Sequence, residues 1–196
     1  MPQPNAAGRK VKIEELGDAL GVLVKRVHPM LVREVRDEIG REAFLEVVQR
    51  SPVGGLGLSV PSGKPRRDPH PGRYRAGHVA SAGSPEPIDL PFLPSYPTPG
   101  EEAFDAGVAG SSEAESVFVS NATQGKPSGK TGQRYAYGKW ALEDGRRQYS
   151  RVSTRVTLWI GSEWAPDGVY GPTVVAVKAR RATIKRRALR KVKAKI

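Results

Sequence analysis

The placement of glycine and proline constrains this fold more than any other feature of the sequence. The 196-residue chain contains 22 glycines and 17 prolines, about 20% of all residues where an average protein has roughly 12%. Eleven of the prolines and eight of the glycines fall between Pro52 and Gly100. Helices and strands rarely persist at that density. The sequence therefore predicts two extended loops, 53–71 and 84–116, on either side of a short ordered piece.

The two predicted loops differ in charge. The first is basic, whereas residues 84–116 contain seven acidic residues and no lysine or arginine. Loops of this length are uncommon in a compact domain unless they bind something or become ordered against a neighbour. Binding on assembly and simple disorder are both compatible with the pattern.

The segment from Val11 to Gln49 is predicted to be a long helix. Its apolar residues recur every three or four positions, the period of one helical face. The helix is predicted to be kinked or split near Pro29, because proline cannot donate to the helical ladder and disfavours helical geometry in the preceding residue. The apolar positions are Ile13, Leu16, Leu20, Leu23, Val27, Leu31, Val35 and Ile39.

The remaining sequence predicts a single α+β domain over 1–196, with a small antiparallel sheet. Residues 116–120 and 151–160 have the composition and alternation of strands, and residues 135–143 are typical of a short helix that stops at Gly145. A final basic helix or tail is expected over 173–196.

Positive charge is concentrated at the C-terminus. The chain has 32 Lys and Arg against 20 Asp and Glu, and ten of these cations lie in the last 19 residues, which contain no acid. The tail could dock on an acidic protein surface, contact nucleic-acid phosphates, or serve only as a solvated end that the body does not need for folding. Its apolar residues are too scattered to predict a sharp stripe. The ten cations are Lys178, Arg180, Arg181, Lys185, Arg186, Arg187, Arg190, Lys191, Lys193 and Lys195.

Catalytic and cofactor motifs are not recognisable. Gly129-Lys130-Thr131 has Gln124 where a phosphate-binding loop requires its first glycine. The chain has no cysteine, so a metal site would need His70, His78 and Asp68, at a spacing that matches no familiar ligand pattern. No serine lies in a Gly-x-Ser-x-Gly motif, and adjacent carboxylates such as Glu143 and Asp144 diverge on a helix. We expect neither an enzyme nor a bound cofactor.

A membrane partner is also not expected. No apolar run approaches the roughly 20 residues that span a bilayer, and the N-terminal residues lack the apolar stretch of a signal peptide.

A series of short motifs, read in order, resembles the tail-component and tail-completion family of long-tailed bacteriophages. The series starts with a charged helix that ends at a Ser-Pro-Val and continues with Gly-Arg-x-Arg, a strand that ends in Asn, a Tyr-Ala pair and a Glu-x-Gly. The family's Asp-Thr is absent, and 18 residues, 54–71, separate the first two motifs. The matching positions are Ser51, Pro52, Val53, Gly72, Arg73, Arg75, Asn121, Tyr135, Ala136, Glu143 and Gly145.

The resemblance implies a structural protein of the virion neck. Copies, six or twelve, would form a ring that joins the head to the tail, in contact with the portal or connector and with the tail tube or tail terminator. Such a chain would pass through the host cytoplasm during assembly, and its basic tail could contact genome DNA in the ring's lumen. The alternative is a nucleic-acid-binding protein that acts through the tail alone.

Overall fold

The computed structural model describes residues 18, 20–53, 72–86, 88–112, 115–123, 147–151, 156–160 and 167–196. These residues form an α+β fold, which confirms the predicted class. The helices are α1 (His28–Arg50), α2 (Arg73–Ala76), α3 (Glu101–Val108), α4 (Tyr170–Ala179) and α5 (Arg181–Lys193), and the strands are β1 (His78–Ala82), β2 (Val117–Asn121), β3 (Arg147–Arg151) and β4 (Val156–Ile160).

The helix passes through Pro29 without a break. Residues 20–22 are helical, a π-turn occupies Leu23–Val27, and α1 follows directly, with Pro29 in its first turn. A proline clashes with the carbonyl of the residue four positions earlier, here Lys25, which lies within the π-turn. The wider turn gives the ring room, so the irregularity that proline predicts is a change of helical type rather than a split. Residues 11–17 of the predicted helix lie outside the described residues.

Two antiparallel strand pairs are present. In the first, β1 pairs with β2 from His78 opposite Asn121 to Ala82 opposite Val117. The sequence predicted β2 but missed β1, whose residues are mostly small. In the second, β3 pairs with β4, with Arg151 opposite Val156. The prediction of one strand over 151–160 was therefore wrong. Strand β4 covers only the second half of that range, and Arg151 belongs to β3, which pairs with β4.

Helix α3 lies inside the segment 84–116, which was predicted to be an extended loop. Its eight residues contain no proline, and Glu101 and Glu102 occupy the first turn, where carboxylates complement the helix dipole. Phe104 and Val108, four residues apart, are both buried. The density of proline in the preceding residues concealed this short amphipathic helix.

The apolar core lies between the C-terminal half of α1, α3 and the β1–β2 pair. The rings of Phe44 and Phe104 pack with their centroids 6.0 Å apart. Gly107 allows α3 to approach β1 closely, since a Cβ atom there would lie 2.1 Å from the carbonyl oxygen of Ala80. One cluster comprises Phe44, Val48, Ala80, Phe104 and Val108, and a neighbouring cluster comprises Val47, Tyr74 and Val169.

The C-terminal region contains two helices where one was predicted. Helix α4 ends at Ala179 and α5 begins at Arg181, with Arg180 between them in a non-helical conformation. The predicted helix over 135–143 and residues 54–71 of the first loop lie outside the described residues. None of the helices in the described part of the chain is long and apolar enough to cross a membrane.

Candidate functional site: a paired basic helix and a buried motif network

Helix α5 has a buried apolar face. Ile184 and Ala188 are fully buried and Val192 is nearly so, and their spacing of four residues places them on one side of the helix. The stripe is hard to see in the sequence because Leu189, a large apolar residue, is 43% exposed, whereas the small Ala188 is buried. The basic helix is therefore packed on the body rather than solvated on all sides.

Helix α1 presents four glutamates to α5 at intervals of four residues, which we call the glutamate row: Glu34, Glu38, Glu42 and Glu46. Arg180 lies 2.5 Å from Glu42 and 2.9 Å from Glu46. The partners then shift toward the start of α1 as α5 proceeds, so the helices are antiparallel. The remaining pairs are Arg187 with Glu38 and Glu42, Lys191 with Glu34 and Glu38, and Lys195 with Glu34.

The ion pairs lower the pKa values of two glutamates in the row. Burial raises the pKa of Glu34, but the hydrogen bond and charge of Lys195, together with Lys191, outweigh burial and leave the pKa below its ordinary value. The pKa of Glu42 is likewise lowered, because hydrogen bonds from Arg180 and Arg187 outweigh burial. Both carboxylates are ionised at neutral pH and bind the basic helix in that form.

Six of the ten C-terminal cations remain outside this pairing. They are exposed, and none forms an ion pair with another residue that the structure describes. These six define what we call the basic face: Lys178, Arg181, Lys185, Arg186, Arg190 and Lys193. One possibility for the C-terminal tail was docking on an acidic protein surface, and the glutamate row of α1 supplies such a surface within the same chain. Of the ten tail cations, only the six of the basic face are left to bind an external polyanion.

The motif positions at the end of α1 contact β1. Ser51 is fully buried, and its hydroxyl Oγ lies 2.7 Å from the carbonyl oxygen of Val47 and 2.8 Å from Nε2 of His78. His78 packs edge-on against Tyr74 and Tyr170. The Ser–His pair is 0% and 2% exposed, so no substrate can reach the hydroxyl and the pair is structural.

Arg73 is a buried arginine that contacts a carboxylate, a backbone carbonyl and an aromatic ring. Its Nη2 donates to the Asp89 carboxylate at 2.7 Å, and its Nε donates to the carbonyl of Leu90 at 3.0 Å. The guanidinium lies 4.0 Å above the centroid of the Phe92 ring. These contacts bind the Pro-rich segment after β1 to α2.

Three further motif positions complete what we call the motif network. Arg75 Nε donates to the carbonyl of Ser51 at 2.7 Å, and Asn121 Nδ2 donates to the carbonyl of Tyr74 at 2.7 Å. Gly72 has φ = +84° and its N–H donates to the carbonyl of Val53, a conformation that favours glycine. The network joins three sequence segments: Ser51–Val53, Gly72–Arg75 and Asn121.

Several predicted positions lie outside the described residues. They are Tyr135, Ala136, Glu143 and Gly145 of the family motifs, the Gly129-Lys130-Thr131 turn, and the candidate metal ligands Asp68 and His70. Within the described ranges, no group of three or more histidines, aspartates or glutamates is arranged to hold a metal ion.

A third feature is an apolar groove of about 820 Å³ on the flank of α5. Val35, Ile39 and Ala43 of α1 form its floor. The valines of β2, Val117 and Val119, line one side, and Lys185 and Leu189 line the other. We refer to it as the apolar groove.

Comparisons with known proteins found no relative of this chain. No family model, curated protein or solved structure matches the chain.

Proposed function

We propose that this chain is a structural protein of the neck of a long-tailed bacteriophage, where copies form a ring that joins the head to the tail. The motif network is the observation that carries the proposal. Short motifs spread along a chain could be unrelated in space. Here hydrogen bonds from Arg75 to Ser51, from Gly72 to Val53 and from Asn121 to Tyr74 hold the end of α1, α2 and β2 together.

The remaining surface supports a role in assembly. Ser51, Arg73 and Asn121 of the motif network are buried, so these residues maintain the frame and leave contacts with other chains to the exposed faces. The basic face offers one such surface, suited to acidic neighbours in the particle or to DNA that passes through the ring.

Deletion of the gene in a lysogen tests the proposal. We expect filled heads and free tails to accumulate separately in negative-stain micrographs. A plasmid copy should restore joined particles, and the protein should be found in purified particles by mass spectrometry. Normal yields of infectious particles from the deletion strain would contradict the proposal.

A second candidate is sequence-independent binding of nucleic acid, which the basic face favours. Each phosphate contact contributes about −0.9 to the slope of log K against log salt. Six exposed cations therefore predict a slope of at most about −5, rather than the value of about −9 expected if all ten were free. Filter binding to duplex DNA between low and moderate salt measures the slope.

The variant Arg186→Ala/Arg190→Ala/Lys193→Ala tests whether DNA binding depends on the basic face rather than on the net positive charge of the protein. Its slope should be about 3 units shallower. The control Lys25→Ala/Arg26→Ala removes exposed cations from the N-terminal helix and should leave the slope nearly unchanged. Equal effects of the two variants, or no binding at low salt, would exclude the basic face as a nucleic-acid site.

A further inference from the structure

The exposed cations of α5 lie opposite its buried face. Arg186, Arg190 and Lys193 are spaced by four and three residues, so their side chains share one side of the helix. All three are exposed, whereas Ile184 and Ala188, on the other side, are fully buried. A polyanion in solution can therefore reach this side of α5 without moving the helix off α1.

The tail cations that pair with the glutamate row are restrained by their partners rather than by burial. Their side chains are 44–57% exposed, whereas the glutamate side chains are only 4–15% exposed. A carboxylate at that depth is costly to leave without its cation. A paired cation therefore cannot exchange its glutamate for a phosphate without cost. The four paired cations are Arg180, Arg187, Lys191 and Lys195.

Two members of the glutamate row depend on the tail alone. Glu38 and Glu46 also pair with arginines of α1 itself. Within the described part of the chain, Glu34 and Glu42 form ion pairs only with tail cations. Removal of these two carboxylates therefore leaves two more positive charges of the tail without an opposite charge.

The glutamate row has the arrangement of a short polyanion. Its carboxylates recur at every fourth residue, about 6 Å apart along the helix axis, whereas one strand of DNA places a phosphate roughly every 3.4 Å. The row is less densely charged than DNA, but it belongs to the same chain as the tail, so its effective concentration at the tail is high. An external polyanion must therefore compete with the row for the four paired cations.

We propose that the glutamate row is an internal competitor that holds four of the ten tail cations and thereby limits the affinity of α5 for an external polyanion. The inference rests on the polyanion-binding role proposed above for the basic face, and it identifies what restrains that role. In a neck ring, the restraint lets the tail contact DNA in the lumen without holding it in place. In the free protein, it lowers sequence-independent binding to nucleic acid.

Two alanine pairs on α5 test the competition, with the salt dependence of duplex DNA binding as the measurement. Arg186→Ala/Arg190→Ala removes two cations of the basic face and should make the slope of log K against log salt about 2 units shallower. Arg187→Ala/Lys191→Ala removes the same charge from the paired side and should change the slope by less than about 0.5. Equal changes would overturn the inference, because the paired cations would then contact DNA as the basic face does.

The paired-side variant retains the fold because every member of the glutamate row keeps an ion pair. The buried apolar face of α5 is also unchanged. Circular dichroism verifies that the helix content equals that of the wild type, so the slope reports contacts with DNA rather than loss of α5 from the body. The ion pairs that remain are Glu34 with Lys195, Glu38 with Arg41, and both Glu42 and Glu46 with Arg180.

Removal of the competitor tests the inference from the other side. Glu34→Gln/Glu42→Gln should make the DNA-binding slope about 2 units steeper, since two more cations become available to phosphates. The control Asp18→Asn/Glu86→Gln makes the same change in net charge at two exposed sites without a described ion pair, and it should change the slope by less than about 0.5. Equal slopes for the two variants would overturn the inference. If the first variant does not fold, the two alanine pairs decide the question.

Heparin, a polyanion without bases, distinguishes this inference from the nucleic-acid function. If the chain binds heparin with the expected differences among the variants but does not bind DNA, the internal competition is supported and the nucleic-acid function is wrong. If the wild type binds DNA with a slope of about −9, as for ten available cations, the nucleic-acid function stands and the competition is overturned. A chain that binds neither polyanion would contradict both.

Discussion

At the scale of single residues, the motif network contains a buried charge, that of Arg73. A buried charge is stable only when it is paired and hydrogen-bonded, and Arg73 meets both conditions through Asp89 and Leu90. The flat guanidinium reaches these two acceptors at once while it covers the Phe92 ring. An ammonium group cannot reproduce that geometry.

Arg73→Lys is therefore expected to lower the free energy of unfolding by about 2–3 kcal/mol, since a buried ammonium group reaches only one of the two acceptors. The matched control is Arg33→Lys, whose side chain is 46% exposed and 3.7 Å from Asp37, and which should change stability by under about 0.5 kcal/mol. Urea denaturation followed by circular dichroism measures both. Similar costs for the two substitutions would show that Arg73 acts only as a surface charge.

Two glycines of the described helices should respond in opposite directions to alanine. At Gly107 the new Cβ would lie 2.1 Å from the carbonyl oxygen of Ala80, so α3 must move off β1, at a cost of about 2–3 kcal/mol. At Gly21 no atom lies within 4 Å, and alanine should stabilise the helix by up to about 1 kcal/mol. Thermal unfolding of the two variants checks the signs. A stable Gly107→Ala chain would contradict the close approach.

At the scale of elements, α5 is held to α1 by two different interactions. Ile184, Ala188 and Val192 contribute apolar burial, which salt affects little. The glutamate row contributes ion pairs whose cations are about half exposed, so each pair is modest and is weakened by salt. The combination selects a position along α1, since a shift by one residue would remove both the burial and the pairing.

The lowered pKa values of Glu34 and Glu42 predict a dependence on pH. A carboxylate whose pKa falls on folding stabilises the fold at pH values above its ordinary pKa, which is 4.5 for both glutamates. That stabilisation is lost as the pH falls through the folded pKa. The wild-type free energy of unfolding should therefore decrease between about pH 5 and pH 3.

Replacement of the two carboxylates measures their contribution to the pH dependence of the free energy of unfolding. Glu34→Gln/Glu42→Gln should be less stable than the wild type at pH 7 and should show a flatter decrease below pH 5. The control Glu86→Gln removes an exposed carboxylate outside the row and should keep the wild-type slope. A double variant with the wild-type pH profile would exclude the row as its source.

At the scale of the whole molecule, the basic C-terminus belongs to the fold. The sequence was compatible with a body that folds without its C-terminus. In the structure, however, α5 places buried residues against α1. Arg180 and Glu42, which pair directly, are separated by 138 positions in the chain. Helix α5 is thus packed on a helix that lies more than a hundred positions earlier in the chain.

Deletion of residues 178–196 is expected to destabilise the body rather than only reduce its charge. Loss of the buried Ile184, Ala188 and Val192 should cost about 5 kcal/mol, a large fraction of the net stability of a typical domain. Scanning calorimetry of the truncated chain should show a much lower melting temperature. A transition within about 2 °C of the wild type would restore the view of a dispensable tail.

Two point variants in α5 provide the matched comparison. Ala188→Asp places a carboxylate at a fully buried site and should destabilise by about 3 kcal/mol or more. Ala182→Asp makes the same change at an exposed site of the same helix and should stay within about 0.5 kcal/mol. Equal costs would indicate that α5 is not packed as described.

The sequence alone determined the features that depend on local chemistry. The α+β class, the end of α1 beside Pro52, the position of β2 and the helical basic C-terminus follow from periodicity and from residues that break helices. Gly72, Pro52 and Asn121 likewise lie at element ends, as their residue types predict. Short elements such as β1 and α3 were missed because small residues and neighbouring prolines weaken the local signal.

Only the tertiary structure decided which faces are buried and which charges are paired. Periodicity shows that a helix has an apolar side, but it does not show whether that side meets the body, and Leu20 and Leu23 remain exposed. Ala188 is a core residue because of what α1 places against it. The ten cations of the C-terminus divide into four that pair with the glutamate row and six without an ion pair to a described residue, because the row has the length and spacing to bind four. Contacts between residues more than a hundred positions apart are absent from any local pattern, so neither the pairing nor the groove could be read from the sequence.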